Sequence, residues 1–201
     1  MLRKIALALT ILTAPVLAAP GPGTAAVKTA NDTINTLLKQ KVAPNSKEET
    51  ELATKVTTSV RSFIDIDELG KRAMIDQWAK LTPAQQKDFL GLLRELIEAQ
   101  YVKGLRSNLE YAVKYLDETV DKDGNVDVAT TIETKRKGRP LSIGIDYVLV
   151  KQGTVYRAWD VKTDGVGLVE NYRVMFNKII AKDGFDGLMT KMRDKKKESA
   201  Q

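Results

Sequence analysis

The spacing of apolar residues changes once along the chain, near Asn108, and this change restricts the folds that it can adopt. Before this point apolar residues recur at intervals of three and four, the spacing of one helix face. After it they alternate with polar residues over four segments, near residues 111–115, 126–132, 141–149 and 155–161. Short turns containing Gly124, Gly138 and Gly153 separate these segments, as in antiparallel hairpins. The pattern predicts a four-stranded antiparallel sheet.

Helices are predicted on both sides of this sheet in the sequence. Ser46 and Thr82 each open a capping box, in which a Ser or Thr and an acidic or amide residue three positions later satisfy first-turn N–H groups. A C-terminal helix is expected from about residue 166 to 181, and Asp183-Gly184 separates it from a short last helix. Helices that cover one face of an antiparallel sheet define an α+β fold class.

The N-terminus has the three parts of a secretory signal peptide. Arg3 and Lys4 precede the apolar run Ile5–Leu12, and small residues follow up to Ala18. The run is shorter than the roughly 20 residues that a membrane span needs. We therefore expect a product outside the cytoplasm, and the expected organisation is a signal peptide over 1–18, a flexible leader over 19–25, a single domain over 26–193 and a basic polar tail over 194–201.

The composition excludes several classes of function. The chain contains no His and no Cys, which removes Ser–His–Asp triads, Cys nucleophiles and the usual zinc sites. The formal net charge is +6, but Arg3 and Lys4 belong to the expected signal peptide, and residues 191–201 contain five basic and two acidic residues. The remaining body is close to neutral. This argues against a nucleic-acid partner, which would require a basic face on the fold.

Three polar clusters have a structural and a functional interpretation. Residues 121–127 resemble a calcium loop, but Gly124 comes too early for an EF-hand and a hairpin turn is favoured. Asp65 and Asp67 could pair as ligands or as acid and base, but the start of a third helix is favoured, either at Asp67 or with Asp65 as its cap. Residues 135–139 form a basic hairpin tip, which is either a solvated turn or a docking contact for an acidic partner.

Two C-terminal stretches carry a family resemblance. AWDVKTDGVGLVENYRVMFNKII (158–180) and DGFDGLMTKM (183–192) resemble the C-terminal signature of the MlaC, or toluene-tolerance, family. In that family a Tyr/Trp-Asp-Val strand is followed by Glu-Gly-Val-Ser-Leu, Asn-Tyr-Arg and Gly-x-Asp-Gly-Leu. FIDIDELGKRAM (63–74) and WAKLTPAQQKDFLGLLRELIEAQY (78–101) are similar to two further segments of the family. The resemblance covers nearly all of the chain after the expected signal peptide, in the same order.

The resemblance implies a periplasmic phospholipid carrier rather than an enzyme. Its expected fold is a curved four-stranded antiparallel sheet of the cystatin/NTF2-like type, wrapped by N-terminal and C-terminal helices around an apolar cavity. The cavity would hold acyl chains while the head group stays in solvent, with phospholipid as cargo and no cofactor or metal. The expected partners are an outer-membrane lipoprotein complex and an inner-membrane ABC transporter with an MCE-domain subunit. Such a monomeric carrier would help to maintain outer-membrane lipid asymmetry.

A set of apolar residues is expected to supply the cavity lining. It consists of Leu93, Ile97, Tyr101, Ile143, Ile145, Tyr147, Trp159, Val161, Val166, Val169 and Phe176. Each of them has ordinary core packing as its alternative role. Val148 and Val150 are also apolar, so the pattern leaves open which face of the third strand points inward.

The junction Gly165-Val166-Gly167 has two interpretations as well. Either it makes a close turn that places Val166 at the mouth of the cavity, or the two glycines only end a strand and admit a helix. Here Gly167 and Asp164 stand where the family usually has Ser and Glu, and Gln86 stands where Arg is common. Two other classes of protein also fit the patterning. They are a secreted cavity-fold enzyme, such as a lyase or isomerase that uses Tyr and Asp, and an adaptor domain with a filled core.

Overall fold

The computed structural model describes residues 20–103, 111–136 and 138–199, and the expected signal peptide lies outside them. The helices in these residues are α1 (Pro22–Leu38), α2 (Lys47–Phe63), α3 (Ile66–Ala73), α4 (Ile75–Trp78), α5 (Pro83–Lys103) and α6 (Leu168–Ser199). The strands are β1 (Tyr111–Val120), β2 (Val126–Arg136), β3 (Arg139–Gln152), β4 (Val155–Thr163) and β5 (Val166–Gly167). Helices, consecutive strands and a final helix follow one another in the predicted order, which confirms the α+β class.

One antiparallel sheet contains these strands in the order β1-β2-β3-β4-β5. The four long strands form the predicted meander, with Tyr147 of β3 opposite Val128 of β2 and Val161 of β4. Register shifts mark a bulge in β1 and another in β4, and bulges bend and twist a strand, so the sheet curls. The prediction of four strands is incomplete. Val166 and Gly167 pair with the end of β4 as a short fifth strand.

Helix α1 begins inside the segment that was expected to be a flexible leader. It starts at Pro22, and Gly23 and Thr24 in its first turn are buried, so this expectation is wrong from Pro22 onward. A Cβ atom on Gly23 would lie 2.6 Å from the side chain of Val126, which means that glycine lets the helix lie directly on the sheet. Glu118 of β1 accepts hydrogen bonds from the N–H groups of Gly23 and Thr24, and its carboxylate stabilises the positive end of the helix.

Two helix starts have the caps that the sequence predicts. Ser46 Oγ accepts a hydrogen bond from the N–H of Glu49, but Glu49 accepts in return from Asn45, one residue earlier than in a standard capping box. Thr82 and Gln85 form the full reciprocal box, with N–H to side-chain oxygen distances of 2.9 and 3.3 Å. These contacts satisfy N–H groups that have no partner within the first helical turn.

Helix α6 changes direction at Gly184, where the sequence predicts a break. The backbone there has φ 71° and ψ 179°, a combination that is essentially restricted to glycine. Helical structure resumes directly and continues to Ser199, through most of the expected polar tail. Leu188, Met189 and Met192 after the break are buried, so the second half of α6 packs on the domain as the first half does.

Candidate functional site

Most of the buried apolar side chains of the described residues lie in two clusters. The helix cluster contains Val56, Val60, Ile64, Ile66, Leu69, Ala73, Met74, Phe89, Leu92, Leu93, Ile97, Val169, Phe176, Leu188, Met189 and Met192. The sheet cluster contains Val27, Val126, Val128, Tyr147, Leu149 and Ala158. Phe63, at the end of α2, is partly buried and packs against both. The fully buried apolar side chains thus lie in two groups where a domain usually has one contiguous core, and the partly buried Phe63 lies between them.

The sheet cluster determines which face of β3 points toward the helices. Tyr147 and Leu149 pack with α1 in this cluster, and side chains two positions apart in a strand share a face. The inward face is therefore that of Ile143, Ile145, Tyr147 and Leu149. Val148 on the opposite face is only 4% exposed. Both faces are thus buried at this point of the strand, and for that reason apolar patterning alone left the orientation open.

Five of the six tyrosines gather where α5, α6, β1 and β3 meet. They are Tyr101, Tyr111, Tyr115, Tyr147 and Tyr172. Burial raises the pKa of Tyr101 to about 12, and it also raises the pKa of Tyr147, Tyr111 and Tyr172, because a phenolate would lose its hydration. These four phenols are therefore neutral at physiological pH and present mainly aromatic surface.

Asn31 of α1 holds the polar ends of two of these tyrosines. The hydroxyl of Tyr147 donates to Asn31 Oδ1 at 3.3 Å, and Asn31 Nδ2 donates to the hydroxyl of Tyr115 at 3.4 Å. The ring of Tyr147 also meets Phe63 edge to face, with a centroid distance of 5.8 Å. A buried phenol usually needs such a polar partner. The contacts fix the orientation of the rings and leave their apolar faces free for packing.

The junction between β4 and α6 begins with a two-residue hairpin turn. Asp164 (φ 48°) and Gly165 (φ 84°) both have left-handed backbone conformations, and Thr163 and Val166 pair across them. Asp164 also links the turn to β3, because its N–H donates to Gly144 O and its carboxylate accepts from Gly144 N–H. The short strand β5 therefore lies between β4 and α6, whereas the sequence predicted that the helix begins directly at about residue 166.

Asp160 caps the start of α6 from the neighbouring strand. Its Oδ1 accepts hydrogen bonds from the N–H groups of Val161 and Val169, at 2.9 and 3.1 Å. A Cβ atom on Gly167 would lie 2.5 Å from Asp160 Oδ2, so glycine at this position makes room for the carboxylate. Both glycines of the junction thus have a structural role. The proposed role of Val166, which is 52% exposed, stays a prediction.

Trp159 packs against the helix cluster and not against the sheet cluster. It occupies the bulge of β4, between residues that pair regularly with β3. The guanidinium of Arg72 lies 4.0 Å from its ring centroid, which is the geometry of a cation–π contact. Its indole N–H donates to Asn125 Oδ1 at 3.2 Å. The ring and its polar atom thus both have structural partners.

The eleven residues predicted to line a cavity are divided between these clusters. Leu93, Ile97, Val169 and Phe176 are buried members of the helix cluster, against which Tyr101 and Trp159 pack. Tyr147 belongs to the sheet cluster, and Ile145 and Val161 pack against it. Ile143 is half-buried on the face of Tyr147, and Val166 is exposed. The set is thus spread over both clusters. Among its partly buried members, Tyr101, Ile145 and Val161 are the better candidates for ligand contact.

Three residues at the same place were missing from the prediction. Phe63 packs on both clusters, and Asn31 and Tyr115 belong to the tyrosine contacts described above. The concentration of tyrosine in residues 101–172 was the signal that could have found Tyr115. Asn31 gave no signal, because a single polar residue on a helix of mixed composition has no distinctive pattern.

The buried carboxylates have structural partners. Asp65 caps α3 by accepting from the N–H of Glu68, and it also accepts from Gln152 Nε2 at 2.6 Å. This confirms the predicted start of a third helix, with the alternative cap Asp65 and not with a start at Asp67. Glu98 accepts two hydrogen bonds from the guanidinium of Arg61. Asp160 caps α6, as described above. None of these contacts arranges a carboxylate for acid–base chemistry.

The acidic segment 121–127 forms the favoured hairpin turn. Asp121 Oδ1 accepts from the N–H groups of Asp123 and Asn125, and Gly124 has φ 81°. The side-chain hydrogen bond from Asn125 is the main cause that lowers the pKa of Asp121. In the described ranges we find neither a group of three or more acidic residues placed to hold a metal ion nor a helix able to cross a membrane. The basic hairpin tip 135–139 is formed around Gly138, and Lys137 lies outside the described residues.

These features define an α+β domain whose helices pack on a curled antiparallel sheet and whose apolar interior is divided. The family model for the MlaC protein matches residues 28–194, and the chain belongs to the MlaC family. This result confirms the predicted family and accounts for nearly the whole of the described domain.

A solved structure has a similar fold. It is that of a phospholipid-binding protein from Ralstonia solanacearum in complex with a phospholipid, with a TM-score of 0.71 and 23% sequence identity. The match covers 88% of this chain and 98% of the Ralstonia chain. The comparison with curated proteins found no match.

Proposed function

We propose that this protein is a periplasmic phospholipid carrier that holds acyl chains between its sheet and its helices. The observation that carries the proposal is the divided apolar interior of a member of the MlaC family. The similar Ralstonia protein binds a phospholipid, which supports the same class of ligand here. The division matters because an apolar ligand can complete a core that the protein's own side chains leave in two parts.

Partly buried residues on both sides support acyl chains in this position. Tyr101 of α5 packs against the helix cluster and keeps part of its surface free, and burial raises the pKa of its phenol to about 12. Ile145 and Val161 are partly buried on the opposing sheet. Aromatic and aliphatic groups with few charges are the surface that acyl chains require.

The energetics of transfer determine how such a carrier would work. Moving an acyl chain of about 16 carbons from an apolar site into water costs on the order of 13 kcal/mol, at about 0.8 kcal/mol per methylene. Spontaneous release into solvent is therefore negligible. The lipid must pass to an acceptor while the two proteins are docked, so that the chains stay shielded throughout.

This requirement fits a shuttle between two membranes. The proposed donor and acceptor are an outer-membrane lipoprotein complex and an inner-membrane ABC transporter with an MCE-domain subunit, and the exchange would maintain outer-membrane asymmetry. The protein would act as a monomer, without catalysis and without a cofactor other than its cargo. The structural roles of the buried carboxylates support a carrier over an enzyme.

Mass spectrometry of organic extracts tests this function. The protein is purified from the periplasm without detergent and extracted with solvent, beside an unrelated periplasmic protein handled in the same way. We expect a stoichiometric amount of phospholipid in the extract of this protein only. An extract without lipid, or with the same trace as the unrelated protein, contradicts the carrier function and favours an adaptor domain.

A further inference from the structure

A second apolar cavity lies between α5 and α6. It has a volume of about 350 Å³ and is bordered by α5 and by both halves of α6. Its lining residues are Leu93, Leu96, Gln100, Tyr172, Met175, Phe176, Ile179, Leu188, Lys191, Met192 and Lys195. None of these residues belongs to the sheet cluster. The rings of Tyr172 and Phe176 stack with their centroids 5.3 Å apart, and they form the wall nearest to the tyrosine contacts.

Residues before and after the break at Gly184 contribute to this cavity. The second half of α6 is also linked to α5, because Lys196 forms an ion pair with Glu95 at 2.7 Å. Met175 on the first half is 44% exposed although it is apolar. An unbranched thioether side chain adapts readily to the shape of a bound alkyl group.

The rim of the cavity is positively charged. Lys191 and Lys195 are one helical turn apart and both line the opening, and the described lining contains no acidic residue. Their ion pairs, with Asp183 at 3.3 Å and with Glu198 at 3.0 Å, leave both lysines more than half exposed. Exposed pairs of this kind contribute little to stability. The two ammonium groups are therefore free to exchange these partners for an anionic ligand.

We propose that this cavity binds an amphiphile with one alkyl chain and an anionic head group. The chain would lie among Leu96, Ile179 and Met192, and the head group would contact Lys191 and Lys195. The volume is near the lower end of the range for ligand sites, which suits one chain better than two. A free fatty acid and a lysophospholipid share this chemistry. The inference does not depend on the proposed phospholipid site, because the sheet residues proposed for that site, Ile145, Tyr147 and Val161, do not line this cavity.

Methionine methyl groups report on this cavity directly. The protein as purified is labelled with ¹³C-methyl methionine and titrated by NMR with dodecanoate and with lauroyl-lysophosphatidylglycerol, each below its micelle concentration. We expect saturable shifts at Met175 and Met192 and no shift at Met74, which is fully buried elsewhere in the helix cluster. The probe with the lower Kd shows whether the cavity prefers a free fatty acid or a lysophospholipid. Absence of saturable shifts at Met175 and Met192 with both probes overturns the proposal.

A charge-reversal pair tests the role of the rim. Lys191→Glu with Lys195→Glu should raise the Kd of the tighter probe about tenfold, because two attractive charges at the rim become repulsive toward an anionic head group. Lys178→Glu with Lys197→Glu changes the net charge equally outside the cavity and should leave the Kd unchanged. An equal effect of both pairs, or equally tight binding of the nonionic dodecyl maltoside, overturns the anionic site. Co-purified phospholipid, measured on the same samples, should stay constant and reports on the first site separately.

Discussion

The buried tyrosines of the interior each bring a polar hydroxyl into an apolar environment. Desolvation by burial is the largest cause of the raised pKa of both Tyr101 and Tyr147, and the hydroxyl of Tyr147 also donates to Asn31. A phenol in such a place contributes a large aromatic surface at the cost of one polar atom. The chain uses tyrosine at several neighbouring positions here, and this suits a wall that meets both protein and an apolar ligand.

The pKa of Tyr101 leads to a prediction about alkaline pH. It is raised from 10.0 to about 12, so between these values the unfolded chain loses this proton and the folded protein keeps it. The resulting stabilisation is complete below pH 10 and is lost as the pH rises toward 12. We expect the Tm of Tyr101→Phe to fall less steeply than that of the wild type over this range, measured by circular dichroism. Parallel declines in the two proteins contradict the assigned burial.

Val166 provides a second test at the scale of one residue. If it lies at the mouth of the lipid site, Val166→Glu should reduce the co-purified phospholipid, because a carboxylate there opposes the entry of acyl chains. The fold should be nearly intact, since the side chain is 52% exposed. Val174→Glu, at a site on α6 that is 60% exposed, is the matched control. A full lipid load in Val166→Glu removes this residue from the site.

Secondary-structure elements were predictable where their limits are set locally. The capping residues Ser46 and Thr82 and the break at Gly184 lie where the sequence places them. The two misplaced limits have different causes. Helix α1 begins early where Gly23 packs on the sheet, which is a distant contact without a local signature. Strand β5 forms because Val166 pairs with Thr163 across Asp164-Gly165, and this dipeptide is a local hairpin signal that the prediction did not use here.

Alanine substitutions at two glycines of the helices distinguish the effect of backbone conformation on stability from the effect of packing. Gly184→Ala should lower the free energy of unfolding by about 1–3 kcal/mol, because alanine would be strained at φ 71°. Gly91→Ala in α5 should raise it by about 0.5–1 kcal/mol, because the position is helical and an added Cβ atom meets nothing within 4 Å. Chemical denaturation measures both. Equal effects of the two substitutions contradict the geometry assigned to α6.

At the scale of the whole molecule, the fold was more predictable than the site. Alternating apolar residues predicted the meander, and family-like segments predicted the class. The cavity lining could not be separated from the core, because both demand the same residue types. Leu93 and Ile145 are equally apolar, but one is buried among helices and the other is partly buried beside the sheet cluster. Only the three-dimensional packing distinguishes them.

A pair of tryptophan substitutions tests whether the interior is hollow. Ile145→Trp should be tolerated with a small change in the free energy of unfolding and should displace phospholipid, because the added ring enters the space between the clusters. Leu149→Trp, on the same face of β3 but fully buried in the sheet cluster, should cost about 1–3 kcal/mol through overpacking. Chemical denaturation and lipid analysis of both variants measure these effects. Equal destabilisation by both substitutions indicates a filled core.

The most direct test of the central claim is an NMR measurement on the complex with a phospholipid that carries ¹³C-labelled acyl chains. Intermolecular NOEs report which protons of the protein lie within a few ångströms of the chains. We predict NOEs to the rings of Phe63, which packs on both clusters, Tyr101, which packs on the helix cluster, and Tyr147 of the sheet cluster. Chain NOEs that are confined to surface residues, or to Ile179 and Met192 in the cavity between α5 and α6, would contradict a lipid site between the sheet and the helices.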